Sequence, residues 1–294
     1  MSLKIAIAIA TAGRREILSD TIGLLSLQSR LPDELVICPA KPEDLDVSCL
    51  DQYPGEFRIY QGPVGSSSQR NVLLDKSEMD VMVFMDDDFL PSHDYLEKVE
   101  ILFLTSPDVV IATGVVLADG ITGPGLDHNE GLKILAQAEP NRGSEMLEPI
   151  YNGYGCNMAV RVRLAKDNGV RFDERLPLYA WLEDVDFSRQ LSPYGKIVKS
   201  PRLRGVHLGT KRAGRSPGRR LGYSQVVNPI YLARKGTMGW KRAINQVVRN
   251  IIANFLRSFS PEPWVDRRGR FFGNIRALLD LTLGRIKPEN ALKF

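Results

Sequence analysis

Three consecutive aspartates, Asp86, Asp87 and Asp88, end the apolar run of "VMVFMDDDFLP". Like charges this close repel, and a divalent cation is one way to relieve them. Carboxylate oxygens are hard ligands suited to Mg²⁺ or Mn²⁺, and Mg²⁺ takes one or two carboxylates and completes its shell with phosphate and water. A solvated loop with helix-capping aspartates accounts for the triplet equally well. "WLEDVDF" sets Glu183, Asp184 and Asp186 at a helix start, where the dipole favours anions; capping is the simpler reading of Asp186. "RGVHLG" puts His207 on a short apolar strand among basic residues, as a structural histidine or a further ligand.

Alternating strands and helices must position these groups. "KIAIAIATAG" reads as a buried strand stopping at Gly13, and "REILSDTIGLLSLQSR" carries Ile17, Leu18, Ile22 and Leu25 at helical spacing. "DELVICP" and "EFRIYQ" are strands, "SSSQRNVLLDKS" a helix opened by small polar residues, "DVMVFMDDD" a fourth strand and "HDYLEKVEILFLT" a helix. "DVVIATGVVLAD" reads as two strand pieces, and "GITGPGLDHNEGLKILAQAEPNRGSEMLEP" as a long surface loop. The pattern is that of an α/β sheet of parallel strands, which binds ligands at the strands' carboxyl ends.

The 294 residues suffice for a full core, and no apolar run is long enough to span a membrane. The apolar start reads as a first strand, not a signal peptide. Cys38, Cys49 and Cys156 form neither a CxxC pair nor a disulfide framework, as expected in a reducing cytosol. The chain has 39 Lys and Arg against 35 Asp and Glu, but no acidic residue occurs between Asp186 and Glu262. That interval holds sixteen of the basic residues, which points to an anionic partner for the last third.

Taken together, "IATAGRREILSDTIGLLSLQS", "SSQRNVLL", "FMDDDFLP", "GCNMAV", "FDERL" and "WLEDVDFSRQL" resemble the inverting family-2 glycosyltransferases of the GT-A fold. The resemblance implies a mixed, mostly parallel α/β sheet flanked by helices; the last third, which the motifs do not cover, reads from its own residues as a basic helical C-terminal extension. The resemblance implies a catalytic domain over 1–210, with a nucleotide-sugar half to about 115 and an acceptor half over about 116–210; the basic, mainly helical extension over 211–294 follows from the residues there. The resemblance also implies a nucleotide-diphosphate sugar donor (UDP-, GDP- or dTDP-linked), Mn²⁺ or Mg²⁺, and direct displacement at the anomeric carbon. Asp86 and Asp88 match the ends of the family's DxD motif, with Asp88 the direct ligand and His207 a further metal or diphosphate contact. Thr11, Arg14, Arg70, Asp86 and Asp87 fall where the family holds the donor. Asp184 matches the general base, and Trp181, Glu183 and Asn157 the acceptor side. Ala12 and "CPAKPED" depart from the pattern of uridine-binding members and leave the nucleobase open.

Two rival readings stand beside this one. A sugar nucleotidyltransferase would begin with a Gly-rich loop, of which "ATAGRRE" is a poor version. A nucleic-acid-binding protein would use the basic third, but no nucleic-acid module is present, and nucleic acid is not an expected partner. In "WKRAINQVVRNIIANFLRSF", Trp240, Ile244, Val247, Val248, Ile251, Ile252, Phe255 and Phe259 share one broad helical face bordered by Lys241, Arg242, Arg249 and Arg257. That face suits either packing on the catalytic domain or an anionic membrane interface. With the basic loop Lys211 to Arg220, it leads us to expect a cytoplasmic enzyme, peripheral at the inner face of the membrane, with a saccharide or lipid-linked saccharide acceptor from polysaccharide or glycolipid synthesis.

Overall fold

The computed structural model describes residues 2–138, 146–210 and 218–294. In chain order the elements are β1 (Ile5–Thr11), α1 (Arg15–Leu25), β2 (Glu34–Pro39), β3 (Phe57–Ile59), α2 (Ser66–Lys76), β4 (Val81–Asp86), β5 (Phe89–Pro91), α3 (Tyr95–Thr105) and β6 (Val109–Asp119). There follow α4 (His128–Gln137), β7 (Glu148–Pro149), β8 (Asn157–Arg161), α5 (Val162–Asp167), α6 (Glu183–Leu191), β9 (Lys196–His207), α7 (Gly218–Lys235), α8 (Trp240–Arg257) and α9 (Arg267–Thr282).

The strands form one sheet in the order β3-β2-β1-β4-β8-β6-β9-β5, with β7 paired to β9. β3, β2, β1 and β4 run parallel, β8 is antiparallel to both β4 and β6, and β6 is parallel to β9. β1 explains why the first half folds this way. Its isoleucines, Ile5, Ile7 and Ile9, enter the core cluster that holds Leu18, Ile22 and Leu25 of α1. Its alanines, Ala6 and Ala8, leave room on the other face for Leu73 and Leu74 of α2. The chain runs outward from β1 through β2 and β3, then returns to β4 on β1's other side. The crevice at the carboxyl ends of β1 and β4 is therefore a topological switch point, where open α/β sheets bind ligands. Ala10 pairs with Asp86 there, so the loop after β1 and the aspartate triplet share one rim.

Three segments differ from the sequence reading. "DVVIATGVVLAD" is one strand, not two: its register against β9 slips between Gly114 and Val115, where a Cβ on Gly114 would lie 2.5 Å from the Leu203 carbonyl oxygen. The expected surface loop after it contains α4, started by a capping box in which Asp127 accepts from the Glu130 amide and Glu130 accepts from the Asp127 amide. Within the basic stretch Lys211 to Arg220, residues 211–217 lie outside the described residues, and Gly218–Arg220 open α7 instead of continuing a loop.

α7, α8 and α9 build a second core around Tyr223, Val226, Val227, Val247 and Ala277. Gly222 and Gly273 let α7 and α9 cross backbone to backbone, since a Cβ at either would fall within 2.1 Å of a carbonyl oxygen of the facing helix. The end of α7 packs through Leu232 and Ala233 on Leu182 and Val185 at the start of α6, so the helical part is seated beside the sheet's crevice. α8 buries Ala243, Val247 and Asn254. Trp240, Ile244, Val248, Ile252, Phe255 and Phe259 are 43–73 % exposed, so most of the apolar face read from the sequence does not pack on the catalytic part.

Candidate active site

The three aspartates meet three different environments. Asp86, at the end of β4, keeps its side chain 35 % exposed and accepts from Arg70 Nη2 at 2.9 Å. Asp87 turns inward, where Thr11 Oγ1 donates to Oδ2 at 2.6 Å and Arg14 Nη1 to Oδ1 at 2.9 Å. Burial raises Asp87 to about 7, against the pull of Arg14. Asp88 is fully buried; its Oδ2 accepts from the Thr210 amide at 3.0 Å and lies 3.0 Å from Arg14 Nη1. Burial pushes Asp88 up, but His207, Arg14 and Thr210 together outweigh it and hold the carboxyl at about 2. The Oδ1 atom of Asp88 has no hydrogen-bond partner, although it is buried and charged.

His207 points at that orphaned oxygen. The antiparallel pairing of β5 with β9 sets His207 opposite Phe89, next in sequence to Asp88. Its Nε2 lies 3.3 Å from Asp88 Oδ1 and 3.8 Å from Asp86 Oδ2, while Nδ1 lies 2.8 Å from Asp119 Oδ1. Tyr154 Oη donates to the other oxygen of Asp119 at 2.8 Å. Burial lowers the imidazole's affinity for a proton, but the surrounding carboxylates reverse this and raise His207 to about 10. Asp86, Asp88 and His207 each offer a ligand atom within 4.8 Å of the others, a donor set of the right kind and spacing for a divalent cation.

Opposite this cluster lies the start of α6. Leu178, Ala180 and Leu182 all have positive φ (56°, 52° and 76°), a conformation that costs non-glycine residues of order 1 kcal/mol each. This strained segment delivers Trp181, Glu183 and Asp184 to the crevice, where Leu178 also accepts from the Ser66 amide at the start of α2. Asp184 accepts from the Val185 amide at 2.7 Å and the Gly155 amide at 3.3 Å, and burial raises its pKa. Glu183 faces Arg70 Nη1 at 2.6 Å; burial and the adjacent Asp184 push it above the usual carboxylate range, with Arg70 pulling the other way. Arg70 is thus the buried link between the aspartate triplet and the Glu183–Asp184 pair, and also donates to the Gly155 carbonyl.

A cavity of about 650 Å³ gathers Thr11, Arg14, Arg70, Asp86, Asp87, Trp181, Glu183, Asp184 and His207. Asp88 is fully buried and does not line it. Asn157 does not belong to the group: it is fully buried on β8, and its Oδ1 accepts from Thr113 Oγ1 and, at 3.0 Å, from the Gly114 amide. It holds β8 to β6 and is removed from the acceptor side. Asp186 is no helix cap either; it accepts from Lys235, Thr237 and Gln190 and ties α6 to the end of α7. The sequence reading missed Asp119, Tyr154 and Tyr179, the last two lining the cavity. It also missed Gln69, which donates to the carbonyls of Thr11 and Cys38 and fixes the rim. Asp44, in "CPAKPED", accepts from the Gly13 and Lys41 amides, so its carboxylate is spent on the loop after β1.

The fold recurs among solved structures. A mannosyltransferase, PcManGT from Pyrobaculum calidifontis in complex with GDP-Man and Mn²⁺, aligns with a TM-score of 0.59 at 12 % identity, over 95 % of this chain and 88 % of that one. TarS 1-349 from S. aureus aligns at 0.55 and 13 % identity, over 97 % and 82 %. The chain spans only 44 % of the longer TarS structure, which aligns at 0.50 and 16 % identity over 88 % of this chain. GalNAc-T7 with UDP, GalNAc and Mn²⁺ aligns at 0.56 and 13 % identity, over 97 % and 59 %. At these identities the likeness shows the fold, the GT-A arrangement expected from the sequence. No curated protein sequence matches the chain significantly. Residues 6–169, more than half of the chain, match Glycosyl transferase family 2, and the chain belongs to that family of glycosyltransferases.

Proposed function

We propose that the protein transfers a sugar from a nucleotide-diphosphate donor to a saccharide or lipid-linked saccharide acceptor, with inversion and with a divalent cation. The observation that carries this reading is the meeting of two acidic groups of opposite use in one cavity. Asp86, Asp88 and His207 stand on one side and Asp184 on the other, with Arg70 between. The complexes of PcManGT with GDP-Man and Mn²⁺, and of GalNAc-T7 with UDP and Mn²⁺, support the donor class and the metal.

Asp86, Asp88 and His207 fit a Mn²⁺ or Mg²⁺ ion, because two carboxylates and an imidazole nitrogen converge within 4.8 Å and Asp88 Oδ1 makes no hydrogen bond that a cation taking the place of the imidazole proton would have to break. A cation bound there supplies Lewis-acid stabilisation of the departing diphosphate. The chain's own part is positional. Thr11 and Asp87 hold Arg14 and the β1 loop along the donor's path, and Asp119 fixes the orientation of the His207 ring. Asp184 takes the proton from the acceptor hydroxyl as the bond to the anomeric carbon forms, and the strained segment behind it keeps the carboxylate at one place. Displacement from the face opposite the leaving group gives inversion. Trp181 and Tyr179 supply the apolar wall that a sugar ring needs.

We place the catalytic part at 1–210 and the helical part at 211–294. The exposed apolar face of α8, continued by Phe272 and Leu279 of α9 and bordered by Lys241, Arg249 and Arg257, favours docking of the helical part on an anionic lipid surface. No helix among the described residues is long and apolar enough to cross a membrane. The reaction class is tested by calorimetry with UDP-, GDP- and dTDP-sugars in Mn²⁺, followed by proton NMR of the product. One donor class should bind, and the new linkage should have the anomeric configuration opposite to the donor's. A retained configuration would remove the assigned base mechanism.

A further inference from the structure

A second cleft, of about 910 Å³, lies between α8 and the loop before β8. Its walls include Tyr151 on one side and Lys241, Arg242, Asn245, Arg249 and Asn250 on the other, with no acidic residue among its lining. This is the polar arc of α8, distinct from both its buried stripe and its exposed apolar face. Arg242 stacks on Tyr151, its guanidinium carbon 3.8 Å from the ring centroid, and Arg189 approaches the same ring at 4.7 Å. None of Lys241, Arg242 and Arg249 has a carboxylate partner among the described residues. The Asn250 Nδ2 donor is buried without an acceptor. Gly239, also in the cleft, is the N-cap of α8 and provides no side-chain cap, so first-turn amides add their partial positive charge.

Each of these features asks for the same thing, an anionic group with several oxygens. Guanidinium forks match phosphate oxygens in pairs, and three cations exceed what a single carboxylate neutralises. The cleft also adjoins the catalytic cavity. Tyr151 directly precedes Asn152, which lines that cavity with Tyr154, and Tyr151 packs in one cluster with Trp181 and Leu182. A ligand could therefore place its anionic part here and its sugar at Asp184.

We propose that this cleft holds the phosphate or diphosphate of the acceptor, so that the acceptor is a phosphate-bearing saccharide. The proposal rests on the transfer reading given above.

Inorganic pyrophosphate, titrated calorimetrically in EDTA, probes the cleft without the metal site. Loss of two charge-assisted contacts in Lys241→Gln/Arg249→Gln predicts about tenfold or greater weakening relative to wild type. Arg163→Gln, an exposed change on α5, should have no effect. Equal pyrophosphate affinity in wild type and the double variant would overturn the proposal. So would tight, salt-sensitive binding of duplex DNA that the double variant loses, which assigns the cleft to nucleic acid. Transfer to paired acceptors then separates the sources. A phosphodiester-bearing soluble saccharide and a polyprenyl-diphosphate saccharide should each show a raised KM in the variant, whichever is the better substrate, while a neutral saccharide should not. An unchanged KM for both phosphate-bearing acceptors would also overturn the proposal. Nucleotide-sugar binding, measured on the same samples, keeps the two readings apart: if it is absent the transfer reading fails, and if it is present a negative pyrophosphate result condemns the cleft alone.

Discussion

His207 Nδ1 lies 2.8 Å from Asp119 Oδ1, which aims the opposite ring nitrogen at Asp86 and Asp88. Asp119 touches no other member of the cluster. Its effect on a bound ion passes through the imidazole, whose basicity and orientation it sets. Asp119→Asn should therefore weaken Mn²⁺ binding about 10–100-fold, as outer partners of metal ligands do, with the fold retained. Titration followed by Mn²⁺ paramagnetic resonance measures it; an affinity equal to that of the wild type would detach Asp119 from the site.

Arg70 is buried between Asp86 and Glu183 and has a structural duty as well as a position in the cavity. Arg70→Met leaves two carboxylates without their cation. Breaking a buried pair this way costs about 3–5 kcal/mol, so the variant should melt several degrees lower than the wild type. Calorimetric melting checks this, and an unchanged Tm would show that the link carries no stability.

In the proposed mechanism Asp184 must be ionised to accept a proton, and burial raises its pKa. Transfer should thus fall as pH drops through a midpoint above the ordinary aspartate value near 4. Asp184→Asn should lower kcat by about 10²–10⁴-fold and abolish that acid limb, while leaving donor affinity nearly unchanged. Loss of donor binding in the variant would move Asp184 to the donor side.

Much of this site is legible in the sequence, because motifs at strand ends carry their chemistry with them. Asp86 ends an apolar strand, Asp184 opens α6 and Arg70 lies one turn into α2, and the switch between β1 and β4 brings the strand end and α2 together. Asp119 also ends an apolar strand, but its use depends on the register of β6 against β9, which three slips shift before His207 is reached. Periodicity does not encode such slips, and Gly114 at one of them makes a single strand look like two. α4 was hidden by glycines around it, although its Asp127–Glu130 capping box stood in the text of the sequence. Asn157 looked like a site residue because it belongs to a site-bearing motif; only the position of β8, between β4 and β6, shows that its side chain is enclosed.

The exposed face of α8 makes a separate prediction. The protein should sediment with anionic liposomes at low salt and be released as ionic strength rises, since each basic residue near an anionic surface adds about 1 kcal/mol. Replacing Ile244, Val248 and Ile252 with Ser should reduce binding without lowering the melting temperature, because these side chains are exposed. Failure of the wild type to sediment at low salt would end the membrane reading.

The central claim, that a cation held by Asp86, Asp88 and His207 drives departure of a nucleoside diphosphate, is tested most directly by one rate measurement. Nucleoside-diphosphate release from the bound donor is followed across a Mn²⁺ titration, for the wild type and for Asp88→Asn. The wild-type rate should rise to saturation with Mn²⁺ and vanish in EDTA, and Asp88→Asn should lose at least about 10²-fold at every concentration. Full turnover in EDTA, or an Asp88→Asn curve that overlays the wild type, would contradict the account.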